Sequence, residues 1–286
     1  MDAKRRYTLA LSCPDRVGIV AAVSTFLASH NGWIVEASHH ADHGSARFFM
    51  RQEILAESLF FDLPELRRLF APIAAQFGMD WRVTDSAVKH RIVLMVSRED
   101  HCLDDLLYRW RAQEFGFDVA CVISNHESLR GFVEWHGIPY HHVPVTPEKK
   151  PQAFSEVLRL FEQYRGDTLV LARYMQILPP QVCLALPGRI VNIHHSFLPS
   201  FAGARPYHQA YARGVKLIGA TCHYVTADLD AGPIIEQDTV RVDHGDFVED
   251  LVRYGKDIEK AVLARGLRYH VEGRVLLDAN KTVVFR

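Results

Sequence analysis

No sign of charge dominates this sequence. Its 33 Lys and Arg residues stand against 34 Asp and Glu, a formal net charge of -1 at pH 7, so it has no field to gather nucleic acid or an anionic membrane surface. Cysteines are few: Cys13, Cys102, Cys121, Cys183 and Cys222 are scattered, odd in number and without a CxxC pair. That argues against a disulfide scaffold or zinc cluster and for thiols in a reducing cytosol. No apolar run is long enough to span a bilayer, and Met-Asp-Ala-Lys-Arg-Arg leads into a strand without the apolar centre of a signal peptide. The expectation is a soluble, cytoplasmic protein that binds neither nucleic acid nor membrane. Histidines number 16, but His39-His40, His141-His142 and His194-His195 are adjacent pairs. Neighbours on a strand face opposite ways, and no pair has the i,i+4 spacing of a helical metal clamp. Neither a metal nor a cofactor is expected.

What is present is ample apolar material. At 286 residues and 48% hydrophobic content, the chain is long enough for two domains with substantial cores. The first reads as a strand at 7–11, a helix at 17–29, strands at 33–40 and 46–55 joined around Asp42-His43-Gly44, a helix at 64–77 and a strand at 79–83. The order βαββαβ is ferredoxin-like. A polar join follows, giving a first domain 1–84, a linker 85–89 and a second domain 90–286. Beyond the join, strands at 91–97, 117–124, 139–143 and 168–172 alternate with helices near 103–113, 129–136 and 152–164. Alternation of this kind predicts an α/β fold with a mostly parallel, doubly wound sheet.

The chemistry concentrates at Val191-Asn192-Ile193-His194-His195-Ser196-Phe197-Leu198-Pro199. Residues 189–191 read as the end of a buried strand and 198–203 as the loop leaving it. Strand alternation puts Asn192 and His194 on one side, at the carboxyl end where an open α/β sheet places its ligand crevice. A third polar group, Asp230, lies in Leu229-Asp230-Ala231-Gly232-Pro233, a loop ahead of a new strand.

Asn-x-His followed by Leu-Asp-x-Gly-Pro resembles the folate-dependent formyltransferase family, whose members bind 10-formyltetrahydrofolate. LARYMQIL (171–178), NIHHSFLPSFAGARPYHQAY (192–211) and GVKLIGATCHYVTADLDAGPIIEQD (214–238) look like its hydrolytic, deformylase branch. The resemblance implies a Rossmann-like formyltransferase domain with Asn192, His194 and Asp230 at the formyl group. It also implies a folate pocket lined by Leu171, Tyr174, Met175, Gln176, Ile177, Leu178, His223, Val225 and Thr226, whose apolar members suit a flat heteroaromatic ring. The implied activity is hydrolysis of 10-formyltetrahydrofolate to formate and tetrahydrofolate, a step of one-carbon metabolism open to service in purine biosynthesis, one-carbon balance or methyl-group catabolism. Asn192 would donate to the developing oxyanion, His194 support that charge or move protons, and Asp230 orient or deprotonate water, with His223 in support.

Family members that act on glycinamide ribonucleotide carry a glycine-rich turn after the first strand, whose backbone amides cradle the substrate phosphate. Here that loop is Ser97-Arg98-Glu99-Asp100-His101-Cys102-Leu103, with no glycine and two carboxylates, which favours water as acceptor. Formyl transfer to an amine such as glycinamide ribonucleotide is one alternative, and a non-catalytic folate sensor is another. Transfer to a charged tRNA would need a basic appendage that the neutral balance does not supply. The turn Cys13-Pro14-Asp15-Arg16-Val17-Gly18-Ile19-Val20 resembles the ligand loop of an ACT domain. That likeness implies a small amino-acid effector held by Asp15, Gly18, Asn31, Gly32, Trp33 and Ile34 between paired subunits, in a homodimer or homotetramer. Two readings stay open for His195, which stands where related transferases often have proline: it narrows the acceptor side or it packs. Gly203 and Pro206 hint at a lid over 196–211.

Overall fold

A computed structural model describes residues 4–200 and 206–286; Gly203 of the expected lid lies outside the described residues. The chain forms two compact units, one of the residues up to Lys89 together with Tyr269–Arg286, the other of His90–Arg268.

The first unit contains β1 (Arg6–Pro14), α1 (Ile19–Ser29), β2 (Ile34–Asp42), β3 (Arg47–Leu55), α2 (Leu63–Phe77) and β4 (Asp80–Asp85). Its sheet runs β2-β3-β1-β4, antiparallel throughout, which is the expected ferredoxin-like arrangement. Alternation along β1 sends Tyr7, Leu9, Leu11 and Cys13 to the face where Val23 and Leu27 of α1 and Leu66 and Phe70 of α2 pack. Asp62 caps α2 by accepting from Glu65 N at 3.1 Å, and Gly78 ends it with φ 61°. The linker expected at 85–89 begins inside a strand: Asp85 pairs with Tyr7 and takes a hydrogen bond from Arg5 Nε at 3.0 Å. A buried, arginine-bound carboxylate extends the ladder past the point where polarity alone suggested a join.

The second unit contains β5 (His90–Val96), α3 (His101–Arg111), β6 (Phe117–Ser124), α4 (Arg130–Trp135), β7 (Tyr140–His142), α5 (Lys150–Gln163), β8 (Thr168–Leu171), α6 (Pro180–Ala185), β9 (Ile190–His194), α7 (Pro206–Arg213), β10 (Leu217–Tyr224), β11 (Ile234–Arg241) and α8 (Val248–Val271) up to its Arg268. Its sheet runs β11-β10-β9-β8-β5-β6-β7. The five strands from β9 to β7 are parallel, and β10 is antiparallel to both its neighbours. Ala153, Phe154, Val157, Leu160 and Phe161 form the stripe by which α5 covers Val93, Met95 and Leu169. The strand order reverses at β5, with β6 and β7 on one side and β8 and β9 on the other. Such a reversal leaves a crevice outside the carboxyl ends of the strands.

Residues 269–286, expected with the second domain, fold with the first. A βαββαβ chain covers one face of its sheet and leaves the other bare. Here β12 (Val275–Asp278) and β13 (Lys281–Val284) pair as a hairpin, and Leu276 and Phe285 close over Ala10 and Phe49. The same face holds Arg51, 1% exposed, which donates to Glu53 Oε1 at 2.5 Å, Glu36 Oε1 at 3.1 Å and the Glu272 carbonyl at 3.0 Å. A buried guanidinium needs that many acceptors.

Candidate active site

Strand register assembles the site. β9 continues through His194, so Asn192 and His194 both sit on the ladder and share one face. Leu171, the last residue of β8, is the register partner of Asn192. Across the antiparallel side, His223 of β10 lies opposite Asn192 and Thr221 opposite His194. Asp230 arrives on the loop between β10 and β11. That loop doubles back so closely that a Cβ at Gly232 would stand 1.9 Å from the Tyr224 carbonyl oxygen, while Tyr224 N donates to the Pro233 carbonyl at 2.9 Å. Asp230 itself has φ 53°.

The three expected catalytic residues meet. Asp230 Oδ1 is 3.3 Å from His194 Nδ1 and 3.9 Å from His223 Nε2. Burial raises the Asp230 carboxyl, but the hydrogen bond and charge of His194 and the charge of His223 outweigh it, so the group stays below its ordinary value. A carboxylate only accepts, so it holds the His194 proton on Nδ1 and leaves the lone pair on Nε2. His194 Nε2 is buried and has no protein partner among the described residues.

His223 does more than support. Its Nδ1 lies 2.8 Å from the Tyr224 carbonyl oxygen, which only accepts, so Nδ1 carries the proton. Burial lowers the His223 pKa against the pull of Tyr224 and Asp230, the ring is neutral, and Nε2 accepts. Asn192 Nδ2 donates to it at 3.1 Å. That bond fixes the amide with nitrogen toward His223 and keeps a second N–H for a ligand.

A cavity of about 460 Å³ opens on these groups. All nine expected folate residues line it: Leu171, Tyr174, Met175, Gln176, Ile177 and Leu178 from the β8 end, and His223, Val225 and Thr226 from the opposite wall. Met175, Ile177 and Leu229 line it while 53%, 57% and 60% exposed, apolar surface that a flat ring would cover. The Tyr174 hydroxyl is buried without a partner among the described residues, and burial raises its pKa. Ser97 at the end of β5 ties the segment down, donating to Asn125 Oδ1 at 2.7 Å and accepting from Met175 N at 3.0 Å. Leu198, in the segment after His195, is held by Thr221 Oγ1 at 3.0 Å and Gln237 Nε2 at 3.0 Å.

Several groups beside the cavity escaped the sequence reading. Arg173 lines it with backbone φ 65°, and its Nε is 3.3 Å from Glu259 Oε2. Glu259, 1% exposed, also takes bonds from His101 Nε2 at 2.8 Å and the Tyr207 hydroxyl at 2.6 Å. Burial opposes its charge, but His101, Arg173 and Tyr207 outweigh that and lower its pKa. Among the described residues His101, Cys102 and Glu259 approach within 4.8 Å, close enough to share an ion. Their chemistry is that of an ion-pair network instead: Arg173 already neutralises the carboxylate, and burial and Glu259 push the Cys102 thiol up, against the thiolate a metal requires.

The expected effector residues are not brought together in one chain. Gly18, φ 98°, precedes α1, and Asn31 follows it, a separation of about 16 Å along an eleven-residue helix. Asp15 is exposed. Gly18 lines a shallow cavity of about 500 Å³ with Arg16, Val17, Ser24 and Phe48. At the other end, the Asn31 amide donates to the Ser58 carbonyl at 2.9 Å and Trp33 N to Ser58 Oγ at 2.8 Å; Gly32 packs under Leu27 and Ile34 joins the core.

Residues 90–267 match the model of the formyl transferase family. A formyltetrahydrofolate deformylase of Corynebacterium sp. (strain P-1) is 46% identical over 286 residues, the full length of both chains. The crystal structure of a formyltetrahydrofolate deformylase from Pseudomonas syringae pv. tomato superposes with a TM-score of 0.98 at 65% identity, covering 100% of this chain and 96% of that one. A glycinamide ribonucleotide transformylase of Symbiobacterium toebii matches at TM-score 0.64 and 33% identity, over 69% of this chain and 95% of its own. The transferase likeness thus stops short of the whole chain, the deformylase likeness does not, and no helix among the described residues is long and apolar enough to cross a membrane. The chain belongs to the formyltetrahydrofolate deformylase family, built on a formyl transferase domain.

Proposed function

We propose that this chain hydrolyses 10-formyltetrahydrofolate to formate and tetrahydrofolate in the cavity at the ends of β8 and β9. The observation that carries the reading is the meeting of an oriented Asn192 N–H with the Asp230-backed His194, whose Nε2 has no protein partner, in one apolar-walled cavity. The pterin would lie against Met175, Ile177 and Leu178. Asn192 would donate to the formyl oxygen as water adds to the carbon, a role worth about 3 kcal/mol. His194 Nε2 would take the first water proton and pass it to N10 as the C–N bond breaks, and Asp230 would stabilise the imidazolium in between. Formic acid then loses its remaining proton to solvent, and no cofactor beyond the folate enters the balance.

Water as acceptor is supported by the loop after β5. Two of its groups are already engaged, Glu99 with Lys256 at 2.6 Å and His101 with Glu259 at 2.8 Å. The first unit would supply control, as ACT domains do: a small amino acid at Asp15 and Gly18, completed by Asn31, Gly32, Trp33 and Ile34 of a second copy in a homodimer or homotetramer. The opposite placement of the two sets along α1 supports a shared site. All five thiols are buried and free, which supports a reducing, cytoplasmic setting.

The test is to incubate purified protein with 10-formyltetrahydrofolate, without amine acceptor or added metal, and measure both products. Stoichiometric formate and tetrahydrofolate support the reading. Turnover that starts only when an amine is supplied refutes it.

A further inference from the structure

His195 lines the cavity beside His194, and the chemistry above does not use it. Its ring is half-buried and stands between two others, 5.1 Å from the His194 centroid at 83° and 6.2 Å from the Tyr207 centroid at 89°. Neither of its nitrogens has a hydrogen-bonding partner among the described residues.

Tyr207 fixes that ring from behind. Its hydroxyl donates to Glu259 at 2.6 Å, and its ring fills space so tightly that a Cβ on Gly255 of α8 would lie 2.1 Å from it. Glu259 is tied in turn to His101 and Arg173. His195 therefore packs against a wall that does not give.

The perpendicular rings of His194 and His195 define a place for one small molecule. A water oxygen about 3 Å from a ring nitrogen stands roughly 4 Å from that ring's centroid, so centroids 5.1 Å apart allow one oxygen to reach both rings. We propose that His195 is a second catalytic histidine, which accepts a hydrogen bond from the attacking water and aims its lone pair at the formyl carbon while His194 removes the proton. This rests on the hydrolytic reading above. The water oxygen bonds to carbon, its proton passes by way of His194 to N10, the C–N bond breaks, and His195 keeps the same protonation state throughout.

The electrostatics fit a ring that orients without charging. Burial, Arg173 and His194 hold the His195 pKa down to about 4 against the opposing pull of Glu259 and Asp230. A neutral imidazole keeps a lone pair for the water's hydrogen, and the proton itself goes to His194, whose Nδ1 faces the Asp230 carboxylate.

The experiment begins with formate release by the unaltered protein; failure at that step sinks the hydrolytic reading and not the role of His195 within it. His195→Phe then keeps the ring and its packing but removes both nitrogens, and His195→Gln restores an acceptor. Expected for His195→Phe is a fall in kcat of roughly 100-fold with the folate KM within about 2-fold, and for His195→Gln a partial return. With hydroxylamine as competing nucleophile, the ratio of formylhydroxamate to formate should rise about 10-fold in His195→Ala, where water has lost its anchor and space has opened. The proposal is overturned if His195→Phe retains kcat within about 2-fold, or if kcat and tetrahydrofolate affinity fall together by similar factors, the mark of a packing role.

Discussion

Asn192 Nδ2 and His223 Nε2 lie 3.1 Å apart on directly opposed residues of β9 and β10, so a neutral histidine sets which way the amide points. In the proposed chemistry His223 is a positioning residue that acts through Asn192. A transition-state donor is effective only when its N–H is already aimed, since reorganising it during the reaction would consume the stabilisation it provides.

It follows that Asn192→Ala should lower kcat by about 100- to 1000-fold, and His223→Ala by roughly 10-fold through the misdirected amide. The two losses should not add. In the Asn192→Ala background, His223→Ala should cost little more, because the group it positions is gone. A full additional loss in steady-state assays of the double variant would give His223 a contact of its own with substrate.

Asp230→Asn tests the His194 dyad. The amide keeps the shape of the loop but can donate toward Nδ1, so it no longer holds the proton there. Turnover should fall by about 1000-fold. Folate binding should persist within roughly 3-fold, because the ring-binding wall comes from the β8 end. Because Asp230 lies below its ordinary value of 3.8, its own protonation should leave no inflection in kcat/KM above about pH 4. An acid limb assigned to Asp230 by its disappearance in the amide variant would contradict the dyad.

The distribution of these groups explains what the linear chain discloses. Asn192, His194 and Asp230 are readable because strand alternation and a Gly-Pro loop place them without knowledge of other elements, whereas the cavity wall at 171–178 and 223–226 is legible only through the resemblance to the formyltransferases. The bond from His223 to Asn192 spans 31 positions and depends on antiparallel register, which β-propensity does not set. Glu259 is buried in α8 along with Leu251, Gly255, Val262, Leu263 and Gly266. A lone carboxylate on the apolar stripe was the signal, and only tertiary structure says that Arg173, His101 and Tyr207 wait for it.

Glu259 also makes a stability prediction with a definite sign. Its pKa is lowered in the folded protein from an ordinary 4.5, so its charge stabilises the fold above that value, and the contribution is lost as pH falls through the lower folded value. Glu259→Gln leaves Arg173 and His101 facing a neutral amide. At pH 7 the variant should lose about 3 kcal/mol, which for the second unit is a Tm lower by roughly 10 °C. The gap should close as pH falls below 4.5 and the wild-type carboxyl takes up a proton. A constant gap in Tm across that range would show that packing, not charge, dominates at this position.

The last prediction concerns the carboxyl-terminal hairpin, whose place no motif announced. Leu276 is 7% exposed and packs with Phe285 on Ala10 and Phe49, on the sheet face that α1 and α2 leave open. Truncating a side chain there removes apolar contact and opens a cavity. Leu276→Ala should cost about 3 kcal/mol and lower the melting transition of the first unit by roughly 15 °C in calorimetry. The catalytic cavity is lined wholly by residues of the second unit, so kcat and folate KM at 25 °C should stay within about 2-fold of the unaltered protein. Unchanged melting would mean that the hairpin adds no cover to the sheet. A large loss of kcat with melting unaffected would instead tie the first unit to the chemistry, which packing alone does not.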